Sequence, residues 1–266
     1  ARPTQVPGRA SVRGWGELPG LLEGCLAVIN LAGEGIAGRR WTKVRKEALG
    51  ASRIDPTRRL LEALEKVHAR PSVLVNASAI GIYGNRGEAL LDESAPAGQG
   101  FLPELCLAWE EAAEPAQALG IRVVKLRTGV VLAREGGALP KFAHPFRIFA
   151  GTALGSGRQG LSWIHIEDLV GLILACIRDP RFQGPVNATA PHPCSQGAFA
   201  RLLAKRLHRP LWPVPGCVTG AALRLLLGEM ASPMLLEGAF VLPRKALELG
   251  FAFRFPEPAE ALEDLV

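Results

Sequence analysis

No apolar run in these 266 residues is long enough to cross a bilayer. The longest, Leu169 to Ile177, falls well short of the roughly 20 residues a span requires. The first ten residues, ARPTQVPGRA, hold no hydrophobic stretch of the kind a secretion signal needs. Cysteine is sparse: Cys25, Cys106, Cys176, Cys194 and Cys217 are dispersed, odd in number and without metal-ligand spacing. That pattern fits reduced thiols and a cytoplasmic protein better than a disulfide framework. His144, His192 and His208 are likewise isolated, so no metal site is expected. Tyrosine occurs once, at Tyr83, which limits any chemistry that needs a phenol.

What the chain does have is a balanced interior. Apolar residues make up 48% and charged residues 21%, which excludes a disordered chain. Its 30 glycines and 21 prolines sit between apolar runs, as loop punctuation does. The length suits one large α/β domain with a small second lobe. Net charge is +6, and basic residues crowd Arg39 to Arg59. That run is either a solvated helix face or a surface favouring a phosphate-bearing ligand. Nucleic acid fits less well, because the apolar and aromatic residues around the run have the pattern of core.

Three short, β-branched runs read as buried parallel strands: Leu26–Leu31, Ser72–Ala77 and Ile121–Leu126. A helical stretch from Thr42 to His68, interrupted at Pro56, separates the first two. Leu102 to Leu119, with Leu102, Leu105, Trp109, Ala112, Ala113 and Ala116 on one face, separates the second and third. Gly120 closes that helix. Such alternation predicts a doubly wound parallel sheet. Further on, Ser162–Ile166 reads as a strand running into a helix near Glu167-Asp168, and Val186–Ala188 as one more short strand. From Ser195 the chain is mostly helical. The expected division is a dinucleotide-binding domain over 1–190 and a substrate lobe over 191–266. Met230 and Met234, four apart, belong to the core of that lobe.

Three strands end in small or polar residues on one rim: Leu31-Ala32-Gly33-Glu34-Gly35, Ala77-Ser78-Ala79-Ile80-Gly81, and Arg127-Thr128-Gly129. In open α/β sheets, ligands bind at the carboxyl ends of the strands. The coincidence of three such ends outweighs any one of them.

These segments, with VINLAGEGI (28–36), RRWT (39–42), NASAIGIYG (76–84), LRTGVVL (126–132), GSGRQGLSWIHIEDLVGLI (155–173) and the tail from Gly228 to Phe253, resemble the extended short-chain dehydrogenase/reductase superfamily. More narrowly, they resemble its atypical epimerase branch, with a C-terminal domain of unknown function. The resemblance implies a Rossmann-like sheet, a site for NADP(H), with NAD possible, and a substrate cleft under a helical lobe. It implies cofactor contacts from Ala32, Gly33, Glu34, Ser78, Arg127 and Thr128. Arg2, in an Arg-Pro context, would face the adenosine ribose and its 2′-phosphate, which a guanidinium can fork. The expected partner is a small polar or nucleotide-sugar-like substrate, and a homodimer is compatible with it. A dinucleotide-binding protein without catalysis is the alternative.

Two departures from the family pattern bear on that choice. Members carry Tyr-x-x-x-Lys on the helix after the Ser-bearing strand, in which the lysine lowers the tyrosine pKa for proton exchange. Here the corresponding positions are Cys106 with Glu110, or Leu105 with Trp109. Catalysis, if present, falls to other groups, with Ser78, Glu110 and His165 as candidates beside Cys106. A carboxylate cannot replace the lysine, because like charge raises a neighbouring acid's pKa. Asp168 is expected to cap or bond nearby backbone. The second departure is the family's opening strand, Gly-x-x-Gly-x-x-Gly turn, helix and strand. Gly8, Gly14, Gly16 and Gly20 follow no apolar strand. The sequence therefore reads as starting after that unit, roughly 35–40 residues in. A short strand over Ser11–Trp15, an unpaired edge at Leu26–Leu31, weak dinucleotide binding and a tendency to aggregate are the corresponding expectations.

Overall fold

The computed structural model describes residues 13–266. Its central sheet has four strands, β1 (Ala27–Asn30), β2 (Val73–Ala79), β3 (Arg122–Thr128) and β4 (Gly184–Ala188). They lie side by side in that order and all run parallel. The β-branched residues of β2 and β3 are packed on both faces. By contrast, β1 is an edge strand paired only with β2 among the described residues, with Leu26, Ile29 and Leu31 exposed, so the reading of that run as buried does not hold and the expected open edge is there. Val73, Leu74, Val75, Val124 and Val186 are fully buried, each worth about 1.5–3 kcal/mol over leaving it in water.

Among the described residues, the α-helices of more than five residues are α1 (Lys43–Glu65), α2 (Phe101–Ala113), α3 (Leu139–Arg147), α4 (Ile166–Arg178), α5 (Gln196–Leu207), α6 (Gly216–Leu227) and α7 (Pro258–Leu265). On one face of the sheet, Leu60, Leu61 and Leu64 of α1 and Ala113 of α2 pack on Leu74 and Val123. On the other, Leu172 and Cys176 of α4 pack on Val73, Val75, Val124 and Leu126. The period-2 alternation of Val73, Leu74 and Val75 thus feeds two cores, as a doubly wound sheet requires. Helices α3, α5 and α7 share a third core around Phe146, Trp163, Phe199, Leu203 and Leu262.

Beyond Thr128 the chain changes partners. The Gly129 amide bonds the Ala188 carbonyl of β4, and the next amide, Val130, bonds Ser162. Residues Val130–Leu132 then pair with Trp163–His165 in a separate two-stranded parallel sheet. Glycine is required at this switch: a Cβ there would sit 2.7 Å from the Ser162 carbonyl oxygen and 2.9 Å from Thr189 Cγ2.

Several elements differ from the sequence reading. Helix α1 runs through Pro56 without a break. The buried Leu49, Arg53, Thr57 and Leu60 continue one packed face across it, and this packing outweighs one missing amide bond. The second helix stops being α-helical at Ala113, because Pro115 lacks an amide and crowds the preceding turn. A 3-10 stretch, Glu114–Leu119, completes it, and Gly120 closes it at φ 78°. Of the strand expected over Ser11–Trp15, Ser11 and Val12 lie outside the described residues. Trp15–Glu17 form a 3-10 turn leading into Leu18–Leu22, where Pro19 suits a helix start. Arg2 also lies outside the described residues.

Gly129→Ala should lower unfolding stability by about 1–3 kcal/mol, the cost of forcing a methyl into a packed site. Urea titration of the variant beside the parent checks this.

Candidate active site

The carboxyl ends of β2 and β3 open into a cavity of about 850 Å³. Ala79, Ile80 and Gly81 from the end of β2, and Thr128, Gly129 and Val130 from the end of β3, form its floor. Helix α2 supplies one wall through Phe101, Leu102, Leu105, Cys106 and Trp109. These residues recur at helical spacing, so a face the sequence presents as core lines a cavity instead. Ile36, Trp41 and Arg53 close a second side, and residues 232–235, 238 and 239 of the tail cover the top.

Beneath this floor lies a buried polar network, separate from the cavity lining. Ser78 Oγ donates to Glu110 Oε1 at 2.7 Å. Arg127 grips the same carboxylate with both arms, Nε to Oε1 at 2.8 Å and Nη2 to Oε2 at 3.0 Å. Arg127 Nη1 donates to the Tyr83 hydroxyl, which donates to Asn187 Oδ1 at 2.7 Å. Burial works against the Arg127 charge. The hydrogen bonds and charge of Glu110 outweigh it, so the guanidinium pKa lies above its ordinary value. Burial also raises the Tyr83 phenol, against the opposing pull of Arg127. The only tyrosine of the chain is therefore a protonated structural group.

The structure resolves the two helical registers compared in the sequence. Leu105, Cys106 and Trp109 face the cavity, whereas Glu110 is committed to Arg127 and Ser78. Cys106 has its thiol pKa pushed up to about 11, first by burial and then by the nearby Glu110 charge. It stays a thiol at neutral pH. Of the three catalytic candidates, Ser78 and Glu110 belong to the network, and His165 lies elsewhere. His165 caps α4, its Nδ1 accepting the Glu167 amide at 3.1 Å, and its ring stacks on Phe255. Asp168 accepts the amides of Arg254 and Phe255, so it fastens the tail rather than capping its own helix.

Among the cofactor candidates, Thr128 lines the cavity, while Ser78 and Arg127 sit in the network below it. Ala32, Gly33 and Glu34 form the loop after β1. That loop is held by Arg53, which donates to the Glu34 carbonyl and packs so close to Gly33 that a Cβ there would lie 3.1 Å from Arg53 Cγ. Half of the eight basic residues between Arg39 and Arg59, namely Arg40, Arg45, Lys46 and Arg53, form such tethers. Arg40 donates to the carbonyls of Leu225 and Leu226, Arg45 pairs with Glu34, and Lys46 pairs with Glu229 at 2.5 Å. Met230 is buried against Trp41 and Leu49, and Met234 reaches the cavity wall. The sequence reading missed Trp41, Arg53, Phe101 and Met234 as site residues. The available signal was the shared face of Trp41, Leu49 and Arg53 beside the first strand end.

A family model for the NAD dependent epimerase/dehydratase family matches residues 11–188. The chain belongs to that family. A second model, a domain of unknown function (DUF1731), matches residues 218–265. Among similar proteins is the epimerase family protein SDR39U1 homolog, chloroplastic, of Arabidopsis thaliana. It is 42% identical over 92% of this chain and 70% of its own length. The epimerase family protein YfhF of Bacillus subtilis is 40% identical over 90% of this chain and 77% of its own. The crystal structure of human epimerase family protein SDR39U1 (isoform 2) with NADPH superposes with a TM-score of 0.87 at 34% identity. It covers 97% of this chain and 88% of that one. UDP-glucuronic acid 4-epimerase from Bacillus cereus, at 18% identity and a TM-score of 0.72, shares the fold. No helix among the described residues is long and apolar enough to cross a membrane.

Two outcomes test this site. Glu110→Gln should cost about 3–5 kcal/mol in urea unfolding, because it leaves the Arg127 charge buried without its partner. Stability should also fall as pH rises from 9 toward 11. Below pH 9 the Cys106 thiol is protonated in both states. Above it the unfolded chain releases a proton that the folded chain retains up to about 11, so ionisation favours unfolding. Denaturation midpoints across that window should decline less steeply in Cys106→Ser.

Proposed function

We propose that the chain is an NADP(H)-dependent oxidoreductase that acts on a carbonyl or hydroxyl compound held over the ends of β2 and β3. The observation that carries this reading is the large cavity at the carboxyl ends of two adjacent parallel strands, where open α/β sheets bind ligands. The similarity to the NADPH-bound human protein supports the choice of dinucleotide.

The residues present fit the nicotinamide end of such a cofactor. Thr128 and Gly129 bring polar backbone to the floor, and Gly81 removes side-chain bulk beside it. Ala32, Gly33 and Glu34, held by Arg53, extend the same rim and would take the neighbouring part of the dinucleotide; Ser78 and Arg127 act from below by fixing the strand ends. A bound nicotinamide supplies or accepts hydride. In the reducing direction the carbonyl carbon gains that hydride and the oxygen gains a proton. This chain has no Tyr-x-x-x-Lys pair to deliver it, and the protonated Cys106 thiol is a poor substitute. Solvent entering past Asn85 and Gln99 is the proposed proton source, which makes turnover slow.

A second reading, binding of the dinucleotide without turnover, is favoured by the commitment of Glu110 to Arg127 in place of a free proton carrier. Titration with NADPH should quench tryptophan emission saturably, with NADH weaker. No saturable response to either up to about 1 mM, a binding free energy near −4 kcal/mol, would remove both readings. NADPH oxidation with a panel of carbonyl compounds then separates them: binding without any oxidation leaves only the second.

A further inference from the structure

Helix α6 presents its apolar side to solvent. Its buried residues are small or polar: Gly220, and Thr219, whose Oγ1 accepts the Gly155 amide at 3.0 Å. Its exposed positions Cys217, Val218, Ala221, Ala222, Leu225 and Leu226 are two adjacent rows spaced by four, so they form one stripe along the helix. Val218 is 55% exposed and Leu226 64%. Leu225, at 79%, is the most exposed large apolar side chain described. A surface helix ordinarily turns such a stripe inward. An outward one marks a surface that something covers.

The link before the helix adds to this surface. Trp212 and Val214 are exposed there. The Trp212 indole N–H donates to the Phe149 carbonyl at 2.7 Å, which sets the ring beside exposed Ile148 and Phe149. Cations border these residues. The Arg209 guanidinium lies 4.5 Å from the centre of the Phe149 ring. Arg40 donates to the carbonyls of Leu225 and Leu226 at 2.7 and 2.8 Å, and exposed Arg224 flanks the stripe. Between Asp179 and Glu229 the chain holds six arginines and lysines and no acid. Glu229 itself is paired with Lys46.

The shape and charge of this surface decide between occupants. A stable protein interface uses about 20–30 residues a side, far more than the stripe and its link supply. Two-fold pairing with a second copy would also set one positive border against another. A bilayer surface makes neither demand. A helix lying in the headgroup layer buries its apolar face there, Trp and Leu are suited to that depth, and arginine stems reach back to the headgroups. Anionic lipid supplies the negative charge that this part of the chain lacks.

We infer that the outer face of α6, with Trp212, docks on an anionic phospholipid surface. The helix has 12 residues, so it lies along the bilayer and does not cross it. The docking is separate from the oxidoreductase reading and needs no part of it.

Flotation of the full chain with lipid vesicles tests the inference. The chain should float with vesicles of phosphatidylcholine containing about one quarter phosphatidylglycerol, and at least about fivefold less with phosphatidylcholine alone. Sodium chloride at about 0.5 M should weaken the binding, because it screens exposed charges. Leu225→Gln combined with Leu226→Gln leaves the net charge unchanged and should weaken binding to the anionic vesicles at least about tenfold. Equal binding by this double variant would mean that charge alone acts, and overturns the inference. So does a parent chain that fails to float with anionic vesicles. A parent that sediments as a dimer while the double variant sediments as a monomer assigns the face to a second copy instead. Should the double variant not fold, Val218→Gln takes its place, with a loss of about threefold expected and an unchanged affinity overturning the inference.

Discussion

The bidentate pairing of Glu110 with Arg127 is the interaction on which the site geometry rests. Both groups are almost wholly buried, and a buried charge is tolerable only while its partner is in place and its remaining hydrogen-bonding capacity is used. Ser78 of β2 takes up further capacity on the carboxylate, and Tyr83 engages the guanidinium. Through Asn187 the same network reaches β4 and the Leu242 carbonyl of the tail. Helix α2, three strands and the C-terminal segment are therefore fixed relative to one another by one contiguous set of polar contacts. With Glu110 held beneath the strand ends, the neighbouring residues Leu105, Cys106 and Trp109 become the wall above them.

This explains why an apolar wall replaces a proton relay. Of the side chains α2 turns toward the cavity, Cys106 is the one that titrates, and burial keeps it protonated well past neutrality. Some of the charged residues in and around the cavity hold loops, whereas Arg224 and Glu237 line it with no side-chain partner among the described residues. Arg53 binds the backbone after β1, while Arg40 and Lys46 secure the region from Leu225 to Glu229.

The sheet was legible in the sequence because the signals were local. Val73, Leu74 and Val75 are β-branched or aliphatic without interruption, and only a strand covered on both faces tolerates that. The small residues at Ala32-Gly33, Ser78-Ala79 and Thr128-Gly129 marked the rim. Fine boundaries were less legible, because tertiary packing overrode local rules: Pro56 stays within α1, and Pro115 converts the last turns of the second helix to 3-10 geometry. The cavity wall was hidden for a different reason. Leu102, Leu105 and Trp109 keep the same spacing whether they meet a neighbouring helix or an empty volume. The network was hidden too, since Ser78, Tyr83, Glu110, Arg127 and Asn187 converge only once β2, β3 and β4 are side by side.

The cavity is assembled from segments far apart in the chain, from Ile36 and Trp41 near one end to Gly238 and Ala239 near the other. The contact between Lys46 and Glu229 alone spans 183 residues. Contacts of such separation form late, because the entropy of closing the intervening chain must be overcome first. The sheet and its two helical faces can therefore be native before any pocket exists. The pocket thus depends on contacts that span most of the chain, and a change that loosened the tail would remove it while leaving the sheet in place.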